Sequence, residues 1–348
     1  MKTNPVHLLT LTLILSSSAL AANITLENSL SSALSDGKDL SDARANLATA
    51  QADLAAKQAD PTSLIGTLQS AQNTLALNTL KLSSTQLSTL QTVMTNYTTL
   101  FEAQRTVEQN AAQVVLDSRN LSVTQAKRAA QNATDLDVSS AQNTLSTSQQ
   151  TLSNNTAQLA VLSAKLAQSI GQGNTPDLKA TSYPAMPALS VALADLEKDV
   201  LARSPDVLQA QQAVSSAQLT VKLSDNDYTP RRTLEDAKIG LEGANRTLEN
   251  SQKSVLTTLR DAYRTAQDAQ KQVALSQTAF ENQTKSYAQD GVRLKSGLIS
   301  SQQLLASEVT LKNSLLSLDR ARGSYARALS SLSVAAGRDV TGLLGVAK

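Results

Sequence analysis

The sequence predicts an all-α protein made of two tandem repeats of long antiparallel coiled-coil helices, and three observations carry that prediction. Apolar residues recur at every seventh position through Leu304, Leu311, Leu318, Tyr325 and Leu332, with a second series at Leu315, Leu329 and Ala336 interleaved. A repeat of about 3.5 residues keeps one stripe of a helix against its neighbour, so this is a coiled-coil seam. Moving back 166 residues turns the first series into Val138, Leu145, Leu152, Leu159 and Leu166, all apolar again. The same offset carries Gly337 onto Gly171, and Leu234, Leu241 and Leu248 onto Leu68, Leu75 and Leu82, so the chain is an internal duplication. Finally, helix-stopping prolines and glycines stand where the heptad stretches end.

Each element follows in order. Lys2, the apolar run "HLLTLTLIL" and the A-x-A formed by Ala19 and Ala21 predict a secretory signal peptide over residues 1–21, with Ala22 the first mature residue. The apolar run falls short of the ~20 residues that a spanning helix needs. A first helical repeat is expected over 22–175, a linker over 176–188, a second repeat over 189–340 and a C-terminal tail over 341–348. Each repeat opens with a helix (26–58; 189–226) that stops at a proline turn, "QADPTS" or "DNDYTPRR", because proline lacks the N–H and clashes with the preceding turn. A very long helix follows (62–130; 231–294) and ends in a tip, "AQNATDLD" or "KSGLISS". A returning helix (136–170; 301–336) is then closed by Gly171 or Gly337. At ~1.5 Å per residue the long helix spans about 100 Å and each shorter one about 50 Å. Two short helices end to end therefore match one long helix, and the linker lies near mid-height.

Composition removes most enzyme chemistry. The 348 residues include no Cys, no Trp, two Phe, six Tyr and one His, which is His7 inside the predicted signal peptide. A mature chain with neither imidazole nor thiol cannot build a Ser-His-Asp or Cys-His site, nor the usual zinc or haem sites, so neither catalysis nor a cofactor is expected. The net charge of +2 combines Lys2, a first half (22–180) with 10 basic and 12 acidic residues and a second half (181–348) with 20 and 17, so neither half carries the basic footprint of a nucleic-acid binder. With an aromatic content of 2%, burial must come from Leu, Ala and Val along extended seams.

The second repeat carries a resemblance. "LEKDVLARSPDVLQAQQAVSSAQLTVKLSDN" is similar to the opening of a repeat in the TolC-like outer membrane efflux proteins, with their L-x3-L-x4-P-x-L-x2-A-x4 pattern. "SYAQDGVRLKSGLISSQQLLASEVTLKNSLLSLDRARGSYARALSSLSVAAG" resembles the last helical hairpin of that family, from tip glycine to closing glycine. The likeness covers nearly all of 189–340 and, more faintly, 24–175, where "DGKDL" stands for the usual Asn-Pro and the tip lacks its glycine. The resemblance implies that three chains form a hollow helical cylinder conducting solutes out of the periplasm, with the hairpin tips meeting an adaptor protein.

One departure matters. Family members carry a β-hairpin between the first two helices of each repeat, and these hairpins close a barrel through the outer membrane. Here that place holds only "KQADPTS" and "SDNDYTPRR", too short for strands of ~9 to 11 residues. The expectation is a TolC-like helical body without the transmembrane β-barrel, exported to the periplasm or an outer-membrane-associated envelope, its membrane contact indirect or unknown.

Two sets of residues near the second tip are candidates for function. Gly297 permits the φ > 0 that reverses the chain, and Leu298 and Ile299 follow as apolar knobs for an adaptor hairpin, or equally as cover for the helix ends. Asp290, Arg293 and Lys295 lie on the last turn of the long helix. They form an entrance gate if three copies ring a pore, and a solvated face with weak i, i+3 pairing if they do not. Thin, polar seams point to self-association, most simply a homotrimer. The function expected is a component of an envelope export or efflux system, acting as a helical conduit or an adaptor-binding spacer. The alternative is a structural coiled-coil strut of the envelope.

Overall fold

A computed structural model describes residues 22–346 except 174–176 and 184. The predicted signal peptide lies outside the described residues. The elements are β1 (Ala22–Ile24), α1 (Leu26–Asp36), α2 (Lys38–Ala59), α3 (Ile65–Ala129), α4 (Asp135–Ser169), β2 (Leu178–Ala180), α5 (Leu193–Arg203), α6 (Pro205–Ser224), α7 (Arg231–Lys295), α8 (Ser301–Ala336) and α9 (Leu343–Val346). The long helices α3 and α7 have 65 residues each. They and the returning helices stand close to the predicted limits.

The opening helix of each repeat is two helices, where the sequence predicts one. Between α5 and α6, Pro205 takes the first helical position and Ser204 stays extended, its hydroxyl accepting a bond from Val207 N at 3.4 Å. Proline has no N–H for the preceding turn and restricts the residue before it, so the helix must restart. Between α1 and α2, Gly37 makes the same break without a proline, its backbone extended at φ −64°, ψ 126°.

Helix α3 packs against α2 and α4 of its own repeat and against α8 of the second, while α7 packs against α6 and α8. Cross-helix bonds fix directions. Gln302 reaches Asn120, Arg320 reaches Thr106 and Arg327 reaches Thr98, so α8 runs antiparallel to α3. It also runs antiparallel to α7, which makes α3 and α7 parallel, with both tips at one end and both proline turns at the other. The strongest packing in the tip half thus runs in the order α4, α3, α8, α7, a curved wall with α4 and α7 as its edges.

The core sits at mid-height. One apolar cluster joins Leu26, Ala33, Val93, Met94, Tyr97, Leu100, Leu166 and Ile170; another joins Leu196, Val200, Leu259, Ala266, Leu332 and Ala336. Val93 and Leu259, Leu100 and Ala266, and Leu166 and Leu332 are pairs at the repeat offset of 166, so the duplication holds in three dimensions. The structure adds one feature to the all-α expectation: β1 and β2 pair in parallel, Asn23 opposite Lys179, and tie the chain start to the linker. No described helix is long and apolar enough to cross a membrane.

Candidate functional site

Four turns share one geometry. A residue with positive φ ends α3, α4, α7 and α8 in turn: Gln131 (59°), Gly171 (74°), Gly297 (70°) and Gly337 (64°). In each, the amide of the following residue bonds a carbonyl five positions back, as Asn132 N does to Lys127 O at 2.8 Å and Leu298 N to Arg293 O at 2.8 Å. Gln172 N to Ala167 O at 3.0 Å and Arg338 N to Ser333 O at 3.1 Å complete the set. This arrangement satisfies carbonyls that a helix end leaves without partners.

The tips are then closed from the other side. Ser300 Oγ accepts from Gln303 N at 3.2 Å while Gln303 Oε1 accepts from Ser300 N at 2.8 Å; Thr134 and Asp137 do the same at the first tip. Such reciprocal capping fixes the start of the returning helix. Bonds from the Thr134 backbone and hydroxyl hold the Asp137 carboxyl below its usual range. Asp135 is also lowered, by the Arg128 guanidinium bonded to it.

The structure brings the predicted tip residues together in one exposed turn. No atom lies within 4 Å of where a Cβ on Gly297 would stand. Leu298 is 72% exposed, Ile299 half-buried, and Val292, which the sequence reading did not single out, is exposed beside them. Of the gate candidates, Arg293 Nη1 lies 3.5 Å from Asp290 Oδ1, whereas Lys295 is exposed on the far side of the same turn. Both tips combine an ion pair with exposed apolar side chains: Arg128–Asp135 with Leu136 (78% exposed) at the first, Asp290–Arg293 with Leu298 and Val292 at the second.

Sequence reasoning missed a polar belt at mid-height. Tyr97 is fully buried, and its hydroxyl is shared between the carbonyls of Ser182 (2.9 Å) and Ile24 (3.2 Å). Its repeat-mate Tyr263 donates to Val191 O at 3.0 Å, and Tyr325 donates to Pro187 O at 2.7 Å. Tyr183, on the linker, donates to Glu102 Oε1 at 3.2 Å and packs edge-on to Phe101 with ring centres 4.5 Å apart. Burial and the Glu102 charge push its phenol far above the ordinary range. Four of the six tyrosines, with Phe101, thus lash the linker and the residues just after it across both repeats.

Glu102 also accepts from Arg327 Nη1 at 2.7 Å, joining α3 to α8 over Gly323. One turn nearer the tips, the Asp319 carboxylate is buried between Arg105 (3.3 Å) and Arg322 (3.8 Å). Arg105 Nε and Asp319 Oδ2 are close enough to attract but too misaligned for a hydrogen bond. Desolvation raises the Asp319 carboxyl in spite of both guanidinium groups. The signals available were Tyr97 and Tyr263 at the 166 offset, and a glycine inside the heptads of α8, which marks close approach of a neighbour.

No protein-family model matches the chain, and no curated protein matches it by sequence. Its shape does have counterparts. The curved wall of paired long and short helices, with its two tips and mid-height linker, is the fold of the helical body of TolC-like outer membrane efflux channels. The outer-membrane channel OprN superposes with a TM-score of 0.66 at 17% identity, over 90% of this chain and 89% of that one. CmeC of Campylobacter jejuni, an outer membrane channel, gives 0.64 at 12% identity over 90% and 85%. VceC, an outer membrane protein of Vibrio cholerae, gives 0.62 at 16% over 90% and 96%. The present chain carries no strand in the connections where a barrel hairpin would enter, residues 60–64 and 225–230.

Proposed function

We propose that the chain is a TolC-like component of a cell-envelope export or efflux system, forming a helical conduit or adaptor-binding spacer in the periplasm. The observation that carries this reading is the open wall. Among the described residues, α4 and α7 each have a flank with no strong neighbour, and an open wall of long helices closes by adding copies of itself. Three copies, by analogy with the resemblance, give a cylinder whose length is that of α3, roughly 100 Å. The exposed Gly297 and Leu298, with the half-buried Ile299, then face an adaptor. Asp290, Arg293 and Lys295 ring the narrow end, although the Asp290–Arg293 pairing leaves Lys295 as the charge most available to solutes. No catalytic step is part of this function.

Light scattering with negative-stain imaging of the purified protein in detergent-free buffer tests the reading. A trimer forming a hollow cylinder of about 100 Å is the expected result. A monomer, or a thin solid dimeric rod, overturns the conduit and leaves the envelope strut as the function.

A further inference from the structure

The two repeats meet along α3 and α8, and the seam between those helices buries a charge. Asp319 of α8 is 3% exposed. Its Oδ2 has no donor aligned on it among the described residues, and Arg322 Nη1 stands 3.8 Å from Oδ1, beyond hydrogen-bond reach. Both guanidinium groups beside it are engaged elsewhere. Arg105 bonds Glu108 Oε2 at 2.7 Å and lies 5.0 Å from the centre of the Phe101 ring, while Arg322 bonds Gln277 Oε1 of α7 at 3.0 Å. The carboxylate is left with attraction at a distance.

The other groups around it do not make good that loss. From α3 come Glu108 and, one turn back, Glu102, two further anions, the second of them held by Arg327. Arg320 of α8 turns to Thr106. Helix α7 presents Gln277, itself bonded to Glu281 at 2.8 Å, and the linker presents the Tyr183 hydroxyl, which donates to Glu102. A carboxyl stripped of water without hydrogen bonds in exchange favours its neutral form.

We propose that Asp319 is a proton-binding site that ties the packing of the α3–α8 seam, and so the joint between the repeats, to pH: protonation favours the seam closed, ionisation favours its opening to water. In the opened seam the carboxyl regains its hydration and ionises freely. Burial raises it in the closed seam, so its share of the closed seam's stability is complete below the ordinary value of 3.8 and is lost as the pH rises through the raised one. The seam is tightest in acid and parts most easily near neutral pH. One chain holds both sides of it, so the inference stands apart from the conduit reading.

Hydrogen exchange of the purified full chain tests it, read at the α8 amides around Asp319, with helix content checked by circular dichroism. Wild type and Asp319→Asn are compared at each pH, so that the intrinsic pH dependence of exchange cancels. At about pH 7.5 the variant is expected to exchange roughly fivefold more slowly than the wild type, and at about pH 4 the two should agree within about twofold. A ratio that is the same at both pH values overturns the inference. So does faster exchange in the variant at about pH 7.5, which would make the ionised carboxylate a net clamp between Arg105 and Arg322. Glu108→Gln gives an independent check with Asp319 in place, and it decides the matter if Asp319→Asn loses helix content. Removing that neighbouring anion eases ionisation, so the pH midpoint of the seam's protection should move down; a midpoint that stays or rises overturns the inference.

Discussion

The same turn is built four times in this chain, twice at free tips and twice in the crowded belt, and the two settings ask different things of one residue. At the tips a Cβ on Gly297 would meet nothing within 4 Å, and the matching place in the first repeat is held by Gln131. In the belt, a Cβ on Gly171 would stand 2.8 Å from the Asp36 carbonyl oxygen, and one on Gly337 would stand 2.8 Å from Arg203 Cβ. Both contacts fall where the opening helix breaks in two, so the closing turn of each returning helix is seated on the joint of its neighbour. Conformation favours glycine at all four places; packing requires it at only two.

The largest effect should come from breaking that seat. Gly171→Ala adds the strain of an L residue at positive φ, about 1–2 kcal/mol, to overpacking against backbone, typically about 1–3 kcal/mol. A loss of roughly 2–5 kcal/mol in urea denaturation is expected. Gly337→Ala should lose a comparable amount, because the Arg203 Cβ that it meets at 2.8 Å is fixed to the backbone and cannot swing aside. A loss under ~1 kcal/mol at Gly171 would show that the α1–α2 joint yields and that the two settings are alike.

A middling effect separates the repeats rather than the settings. Gly323 is buried, and a Cβ there would collide with Glu102 Oε1 and stand 2.6 Å from the Tyr183 hydroxyl, while its repeat-mate Ala157 is exposed on α4. The crowding atoms are side-chain ends, so Gly323→Ala displaces them and forfeits their bonds, at about 1–2 kcal/mol. Adding Glu102→Ala should recover part of that loss in a double-mutant cycle, and strict additivity would show that the two positions are uncoupled. Ala157→Gly should cost no more than the usual helix penalty, about 1 kcal/mol.

These cases show where the sequence is readable. Heptads, the 166-residue offset, the long helices and the tip glycine are legible because each depends on a few neighbouring residues. The break at Pro205 was visible as a motif, yet its counterpart at Gly37 was not, because a lone glycine does not by itself stop a helix. The β1–β2 pair, the tyrosine belt and the Arg105–Asp319 pair join residues more than seventy positions apart, and no local pattern announces such contacts. Of the candidate site, the exposure of Leu298 was readable from its place after a helix stop. Val292 was not, because its exposure depends on how far α8 reaches along α7.

The smallest expected effect lies at the tips and tests the comparison from its quiet side. Gln131 holds φ at 59° without glycine, in a turn whose hydrogen bonds match those around Gly297. Exchanging the two residues should therefore change only local conformational cost. Gln131→Gly relieves about 1 kcal/mol of strain at the first tip, and Gly297→Gln imposes about as much at the second. Because the cores sit at mid-height, the tips open on their own, and global unfolding is a poor reporter. Hydrogen exchange at the amides of Asn132 and Leu298 reads the change directly: slower by roughly fivefold in Gln131→Gly, faster by a similar factor in Gly297→Gln. If Gly297→Gln instead lowered the global denaturation midpoint as Gly171→Ala is expected to, the second tip would be coupled to the belt through α8, and the division between a free end and a crowded middle would fall.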